Sequence, residues 1–454
     1  MKAYTEQLST EMEAIEGKHF TTAKGYQVRF LFKLIPSDMK WASTFSGELS
    51  NAAEYFSPFA NVCQANKNTL FGSIGGSDAT WQPWNYQKRL AMAKKVEKFK
   101  RKLKDPDGKQ RGEVTKFISA NKSRQEFPPP LGKYVDCIKP EPLHNVNNGW
   151  QHWFKMCLTV AMQYTDANQL KASTSLSDLP NSCPLIQFCN CVKDSMKCGR
   201  LFKNSSRWFA EKRKKNIQFS YRFTGLESKR FSWYFGLLVN VLLNITSLAM
   251  STKVKLHALA FSGLKLRDSA SLFSRVEINR EHLAKLKVCS QQYFNANTLL
   301  LEGANPTIWT IGYAIPYHAE QLFEDSGYGL GLNSMQGREA KHIKLASYFQ
   351  NTCNVRKNER WWVVFRHEFV SLIWLRQLDP HSITYRSEKK KACDSYIPKK
   401  VSEGHTMFCY CGVQKSNSSD KACSICMSTT MRLVQESTTE GKINTSLREL
   451  LANN

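Results

Sequence analysis

Two carboxylates and four thiols are the residues of this 454-residue chain whose types and settings could do chemistry. Glu339 opens the first turn of an expected helix, just after the glycine-rich stretch from Gly331 to Gly337. Asp38 follows Pro36 and Ser37, where an expected strand ends. Carboxylates in such settings can hold magnesium or manganese, because hard cations take oxygen ligands. Such ions activate the attacking oxygen and stabilise the leaving one in phosphoryl transfer on nucleic acids. Each residue also has an ordinary reading. The helix dipole favours a glutamate in the first turn, and aspartate after Pro-Ser is a common turn residue.

The thiols are Cys409 and Cys411, followed after an eleven-residue polar loop by Cys423 and Cys426. Two close pairs across a short loop suit tetrahedral zinc, and Gly412 allows the tight turn that points both sulfurs inward. His405 is an alternative ligand, and free surface thiols are the competing reading. Closed by four ligands, such a zinc is structural. A second group, Cys183, Cys189, Cys191 and Cys198, fits no standard spacing and reads as a mixture of buried and exposed thiols.

The elements that must position these groups follow from pattern. Tyr26 to Ile35 alternates and is rich in aromatic and β-branched residues, which predicts a strand. Gln87 to Lys104 predicts a strongly basic helix ended by the turn Asp105-Pro106-Asp107-Gly108. Pro128-Pro129-Pro130 is a stiff break, Trp150 to Tyr164 reads as an amphipathic helix, and Lys203 to Arg230 is basic with interleaved aromatics. Helical patterns dominate from Phe231 to about Leu378. Beyond Asp379-Pro380 the chain is polar, with the run Lys389-Lys390-Lys391, so a boundary is expected near residue 380. Four segments result: 1–130 with the basic helix, 131–230 cysteine-rich and basic, 231–380 helical with Glu339, and 381–454 with the cysteine pairs.

Charge narrows the partners. Lys plus Arg number 64 against 38 Asp plus Glu, a net charge of +26, which favours a polyanion. DNA is the first expectation and an anionic membrane surface the second. Lys88, Arg89, Lys94, Lys95, Lys98, Lys100, Arg101, Lys102 and Lys104 crowd one helix, and Lys212, Arg213, Lys214 and Lys215 crowd another segment. Such clusters give sequence-independent, salt-sensitive affinity for phosphates, unless they are merely solvated faces. Trp81 and Trp84 could stack on unpaired bases, with core packing as the alternative. The polar, acidic first residues carry no secretory signal, so the cysteines read as reduced thiols or metal ligands. Phe231 to Met250 lacks charge and is long enough to span a bilayer. Asn240 and Asn244 lower its hydropathy, and a buried helix is the preferred reading.

Three blocks add a resemblance. PSDMKWASTFSGELSNAA from residue 36, EPLHNVNNGWQHWF from residue 141 and IPYHAEQLFEDSGYGLGLNSMQGREAKH from residue 315 resemble successive parts of the Transib-type DDE transposase core, the family of the V(D)J recombinase catalytic subunit. The resemblance runs in scattered blocks from about residue 25 to 378. It implies an RNase H-like core carrying three metal-binding carboxylates. Asp38, at a strand end before a short hydrophobic helix, matches the second. Glu339, in a Ser/Gly-rich block after His318, matches the third. The block with Leu143, His144, Asn147 and Asn148 resembles the family's Leu-His-x-x-x-Asn segment before an aromatic helix.

The first carboxylate has no match ahead of Asp38, so the resemblance implies an amino-terminally truncated core and impaired catalysis. The family's own zinc site is not carried over. Tyr55-Phe56-Ser57-Pro58-Phe59 stands where its cysteines belong, and Tyr313 where a second histidine would accompany His318.

The expected fold class is therefore α/β with a large helical part: an incomplete RNase H-like core, an α-helical insertion and a small carboxy-terminal zinc-knuckle-like segment. The expected function is that of a nuclear, transposase-derived, DNA-binding protein. Its ancestral activity is DNA strand cleavage or transfer dependent on magnesium or manganese, with Asp38 and Glu339 as ligands. A homodimer is a further expectation, and no small-molecule substrate is evident. A non-catalytic nucleic-acid or protein interaction module, and a membrane-associated protein spanning 231–250, are the rival readings.

Overall fold

In the computed structural model, residues 2–215, 217–378 and 396–452 are described. The Lys389–Lys391 run and the boundary expected near residue 380 lie outside them. Helix α1 (Lys2–Ile15) leads into a hairpin of β1 (His19–Thr21) and β2 (Gln27–Arg29), and β3 (Ile35–Pro36) pairs in parallel with β4 (Ile138–Lys139). Between β3 and β4 lie α2 (Met39–Ser46), α3 (Tyr86–Lys100) and α4 (Arg111–Ala120). After β4 come α5 (Pro142–Gln163), α6 (Ala167–Ala172), α7 (Pro184–Asn190), α8 (Gly199–Glu211), α9 (Gly225–Leu243), α10 (Met250–Phe273) and α11 (Arg280–Leu300). The chain continues through α12 (Pro306–Trp309), α13 (Ile315–Ser326), α14 (Gln336–Asn351) and α15 (Arg360–Leu378). It closes with α16 (Lys399–Ser402), α17 (Ser424–Met427), α18 (Thr429–Glu440) and α19 (Thr445–Ala452).

The protein is mostly helical, and its described strands form two two-stranded pairs. The larger sheet of an RNase H-like core is not among them. The ten-residue strand expected from Tyr26 to Ile35 is instead broken into β2 and the start of β3. Its alternating pattern has no continuous neighbour to pair with, and Tyr26, Phe30 and Leu31 are exposed.

Helix α10 is the centre of the molecule, packed against α5, α9, α11, α18 and α19. Its neighbours supply large aromatics. Trp150 and Trp153 of α5 meet Phe231 and Phe235 of α9, with ring centroids 5.7–6.3 Å apart for the Phe235 and Trp153 contacts. The buried indole N–H of Trp153 donates to the Leu259 carbonyl at 2.8 Å, which removes the cost of an unmade bond. The charge-free run from Phe231 is thus largely a core helix, α9, capped by a Thr224/Glu227 capping box. No described helix is long and apolar enough to cross a membrane.

A smaller core lies between α3 and α4, where Met92 and Val96 meet Val114 and Ile118, and Phe99 stacks on Phe117 at 4.2 Å. Beside it Glu126, almost wholly buried, pairs with Lys100 at 2.6 Å and with Arg111. Burial raises the Glu126 carboxyl, but the hydrogen bonds from Arg111 and Lys100 outweigh it and hold the group below its usual value. A depressed carboxyl stabilises the fold fully above the unfolded value of about 4.3 and loses that contribution as pH falls through the lower folded value. Acid titration of unfolding should therefore show the wild type losing stability below about pH 4. Glu126→Gln should be less stable at neutral pH and lose less on acidification; equal acid sensitivity of the two proteins would refute the assignment.

Candidate active site and candidate metal centre

Strands β3 and β4 run parallel, with Ile35 opposite Ile138 and Pro36 opposite Lys139, so the chain leaves both at the same end. Each exit starts a helix capped by a carboxylate. Asp38 caps α2, its Oδ1 accepting from the Trp41 N–H at 2.8 Å. Glu141 caps α5 ahead of Pro142, at a position where proline sacrifices no helical hydrogen bond.

Glu141 fastens two segments together, the start of α5 and the entrance of α14. Its Oε1 accepts from the Leu143 and Met335 N–H groups at 2.8 and 2.7 Å, and its Oε2 from the His144 N–H and the His144 Nδ1, both at 2.7 Å. Asn333 adds donations to the carbonyls of Lys139 and Pro140 at 2.8 and 3.0 Å. These bonds dock the entrance of α14 onto the exit of β4, so that Glu339 Oε1 lies 3.7 Å from His144 Nε2. The Glu141 hydrogen bond raises the His144 pKa against the effect of burial, and the charges of Glu141, Asp38 and Glu339 add to it.

The structure thus brings Glu339, distant in sequence, beside His144, while Asp38 lines the same cavity as that imidazole and adds its charge to it. Four N–H donors occupy the two oxygens of Glu141, which makes it a structural carboxylate. Asp38 Oδ2 has no hydrogen bond among the described residues, and Glu339 is half-exposed. Magnesium is commonly held by one or two carboxylates with waters and substrate phosphates completing the shell. Asp38 and Glu339 are donors of that type, but with His144 they do not form a group whose ligand atoms gather within 4.8 Å of one another. A cavity of about 380 Å³ adjoins the site, walled by Asp38, His144, Asn148, Lys155, Arg222 and Asn305 among others.

The cysteine pairs form the second site. Among the described residues, Cys409, Cys411, Cys423 and Cys426 are the one group whose ligand atoms gather as a metal requires, all four sulfurs within 4.8 Å of one another. Gly412 turns the chain at φ +94°, where a side chain would also strike the Trp233 carbonyl, and Gly236 of α9 leaves room for Val413. Both glycines let the loop press against the core. Hydrogen bonds from the three neighbouring thiols pull Cys409 down, and its proximity pushes Cys411 and Cys426 up. Four thiolates in this space need a cation among them, and zinc fits the all-sulfur set. His405, the alternative ligand expected from the sequence, is exposed beside Glu403 and is not part of this group.

Arg267, fully buried in α10, ties this loop down. It donates to the Tyr410 carbonyl at 2.7 Å and lies 4.4 Å from the Tyr410 ring, while its partner Asp268 accepts from the Tyr410 hydroxyl at 3.1 Å.

The basic clusters divide on inspection. Lys88, Lys94, Lys95, Lys98, Arg101, Lys102 and Lys104 are exposed on or just beyond α3, as are Lys212, Lys214 and Lys215 after α8. Arg89 is not available to DNA. It is buried, paired with Glu48, and donates to the Pro58 carbonyl at 2.8 Å. Lys100 is taken up by Glu126 and Asp107, and Arg213 stacks on Phe209 at 4.1 Å. Trp81 is fully buried against Trp309 and Tyr313, which excludes base stacking, and Trp84 donates to the Ser57 carbonyl.

Cys183, Cys189, Cys191 and Cys198 are all buried, correcting the mixed exposure expected of them. Burial pushes Cys189 and Cys198 up to about 12, so they are inert core thiols. Phe59 meets His318 edge-on at 5.5 Å and Phe56 meets Trp309 at 6.2 Å. Burial and the nearby Lys139 lower His318 to about 3, which leaves it neutral.

The residues that sequence reasoning passed over are Glu141 and its role in setting His144. A carboxylate immediately before a proline-led helix was the available signal, since that is a cap position. No family model matches the sequence, and no curated protein matches it.

Proposed function

We propose that this is a transposase-derived, nuclear DNA-binding protein whose carboxylate site descends from a metal-dependent DNA strand-cleaving enzyme. The approach of Glu339 to His144, with Asp38 on the wall of the same cavity at the shared exit of two parallel strands, is the observation that carries this reading. Three sequence blocks that resemble the Transib-type core contribute one residue each to that meeting point. The aromatic contact between Phe59 and His318 also supports it, since the resemblance pairs those two segments in a zinc site and here they pair by apolar packing.

In the proposed site Asp38 and Glu339 would hold the divalent ion, which would supply Lewis-acid activation and charge neutralisation at the phosphate. Glu141 holds His144 and the α14 entrance in register. A missing third carboxylate removes transition-state stabilisation of several kcal/mol, so cleavage is slow and binding is the main retained activity. The incomplete RNase H-like core and the homodimer belong to the same proposal. The exposed lysines of α3 and those after α8 contact phosphates.

Duplex affinity should fall steeply with salt, with a log–log slope of roughly −4 to −5 for about five phosphate contacts. The wild type should nick supercoiled plasmid slowly in manganese, and an Asp38→Ala/Glu339→Ala double variant should bind DNA normally without nicking. Absence of wild-type nicking at every metal concentration leaves only the non-catalytic module. Duplex binding that is absent or indifferent to salt refutes the DNA-binding reading itself.

A further inference from the structure

One face of α5 is polar over three turns. His144, Asn148, Gln151, His152 and Lys155 are spaced so that they share a stripe, while Val146, Trp150, Trp153 and Phe154 face the core. From His144 to Lys155 the stripe covers ~16 Å at the helical rise. It lines the cavity beside Asp38, with Lys40 and Arg222 on the other walls.

His144 is held by Glu141, but the other groups are largely unpartnered within the fold. Among the described residues, neither the Asn148 nor the Gln151 carboxamide has a hydrogen-bond partner, and none of Lys40, Lys155 and Arg222 has an acidic partner. The Nε2 of His152 is buried and unpartnered. A buried unsatisfied nitrogen is costly, and this one lies on the cavity wall, where a ligand or a water can satisfy it.

We infer that this cavity takes an unpaired DNA strand, which runs along the α5 stripe away from Asp38 and His144. The inference rests on the DNA-binding reading above. A volume of about 380 Å³ is that of a small-ligand pocket, too small to enclose a duplex. Carboxamides offer a donor and an acceptor together, which matches base edges, and those edges are fully open only in unpaired nucleotides. The three cations supply the phosphate contacts. No exposed aromatic platform lines the cavity, so hydrogen bonding rather than stacking does the recognition.

The test uses the full chain and fluorescence anisotropy with a labelled single strand of about 15 nucleotides, within common single-strand site sizes, and its blunt duplex. Lys155→Glu and the pair Asn148→Asp/Gln151→Glu should each weaken single-strand binding by about tenfold or more, equivalent to ~1.4 kcal/mol, and leave duplex binding unchanged. Lys95→Glu/Lys98→Glu should do the reverse. Unchanged melting curves establish that the variants are folded. Single-strand and duplex binding falling together, or single-strand binding untouched by the cavity variants, overturns the inference. Tighter binding of the ribose strand of the same sequence overturns the assignment to DNA. Loss of duplex binding in the wild type instead refutes the underlying reading, so the two failures are distinguishable.

Discussion

Cys411→Ser, or prolonged chelation of the wild type, is expected to release the carboxy-terminal segment and to destabilise the whole protein. The quartet is no peripheral ornament. Cys409, Cys411 and Cys423 share the main hydrophobic core with Ile425, Met431, Val434 and Leu447, and α18 and α19 pack directly on α10. Structural zinc contributes about 10–16 kcal/mol in isolated finger peptides. Even a fraction of that, about 4 kcal/mol, lowers the melting temperature by ~8 °C at about 2 °C per kcal/mol for a large chain. Four thiols packed without a cation also cannot all ionise, so the apo loop loses the geometry that Gly412 and Gly236 permit. Elemental analysis of the purified protein should find about one zinc per chain, and calorimetry should show the drop after chelation. A metal-free protein that melts at the same temperature with and without chelator removes the metal centre.

Glu48→Ala should be the most damaging single substitution away from the cysteines. Glu48 is fully buried between Arg89 and Arg124, the latter 2.9 Å away, and both guanidiniums are almost wholly buried. Burial pushes each down to about 9, so both remain charged at neutral pH and depend on this carboxylate. Removing one member of such a group leaves uncompensated buried charge, at a cost of about 3–5 kcal/mol. Arg124 also donates to the Leu49 carbonyl at 2.8 Å, to Ser43 Oγ at 2.7 Å and to Asn51 Oδ1 at 2.9 Å. The loss therefore spreads to α2 and its following loop. Chemical denaturation reads the cost, with Lys98→Ala as an exposed comparison expected within about 0.5 kcal/mol of wild type. A Glu48→Ala protein as stable as that comparison would show the triad to be dispensable.

Arg89 also shows how a sequence signal is misread. In the run from Gln87 to Lys104 every cation looks alike, and the charge count suggests one basic surface. Arg89, Met92, Ala93 and Val96 nevertheless fall three, four and seven residues apart and are all buried. That spacing was visible in the sequence, but nothing local revealed Glu48 as the partner that makes burial tolerable.

Spacing and local chemistry determined the cysteine quartet, the basic α3 and the helical α5 and α9, because a tight loop or a helical turn is set by neighbouring residues. The two carboxylates were legible as candidates for a similar reason: Asp38 follows an expected strand end and Glu339 sits in the first turn of an expected helix. Only the tertiary structure decided that Glu339 meets His144, that Glu141 fastens the entrance of α14 to the start of α5, and that Trp81 and Arg89 are core. Those outcomes depend on which surfaces pack together across hundreds of residues, and a one-dimensional pattern does not encode which buried groups will meet.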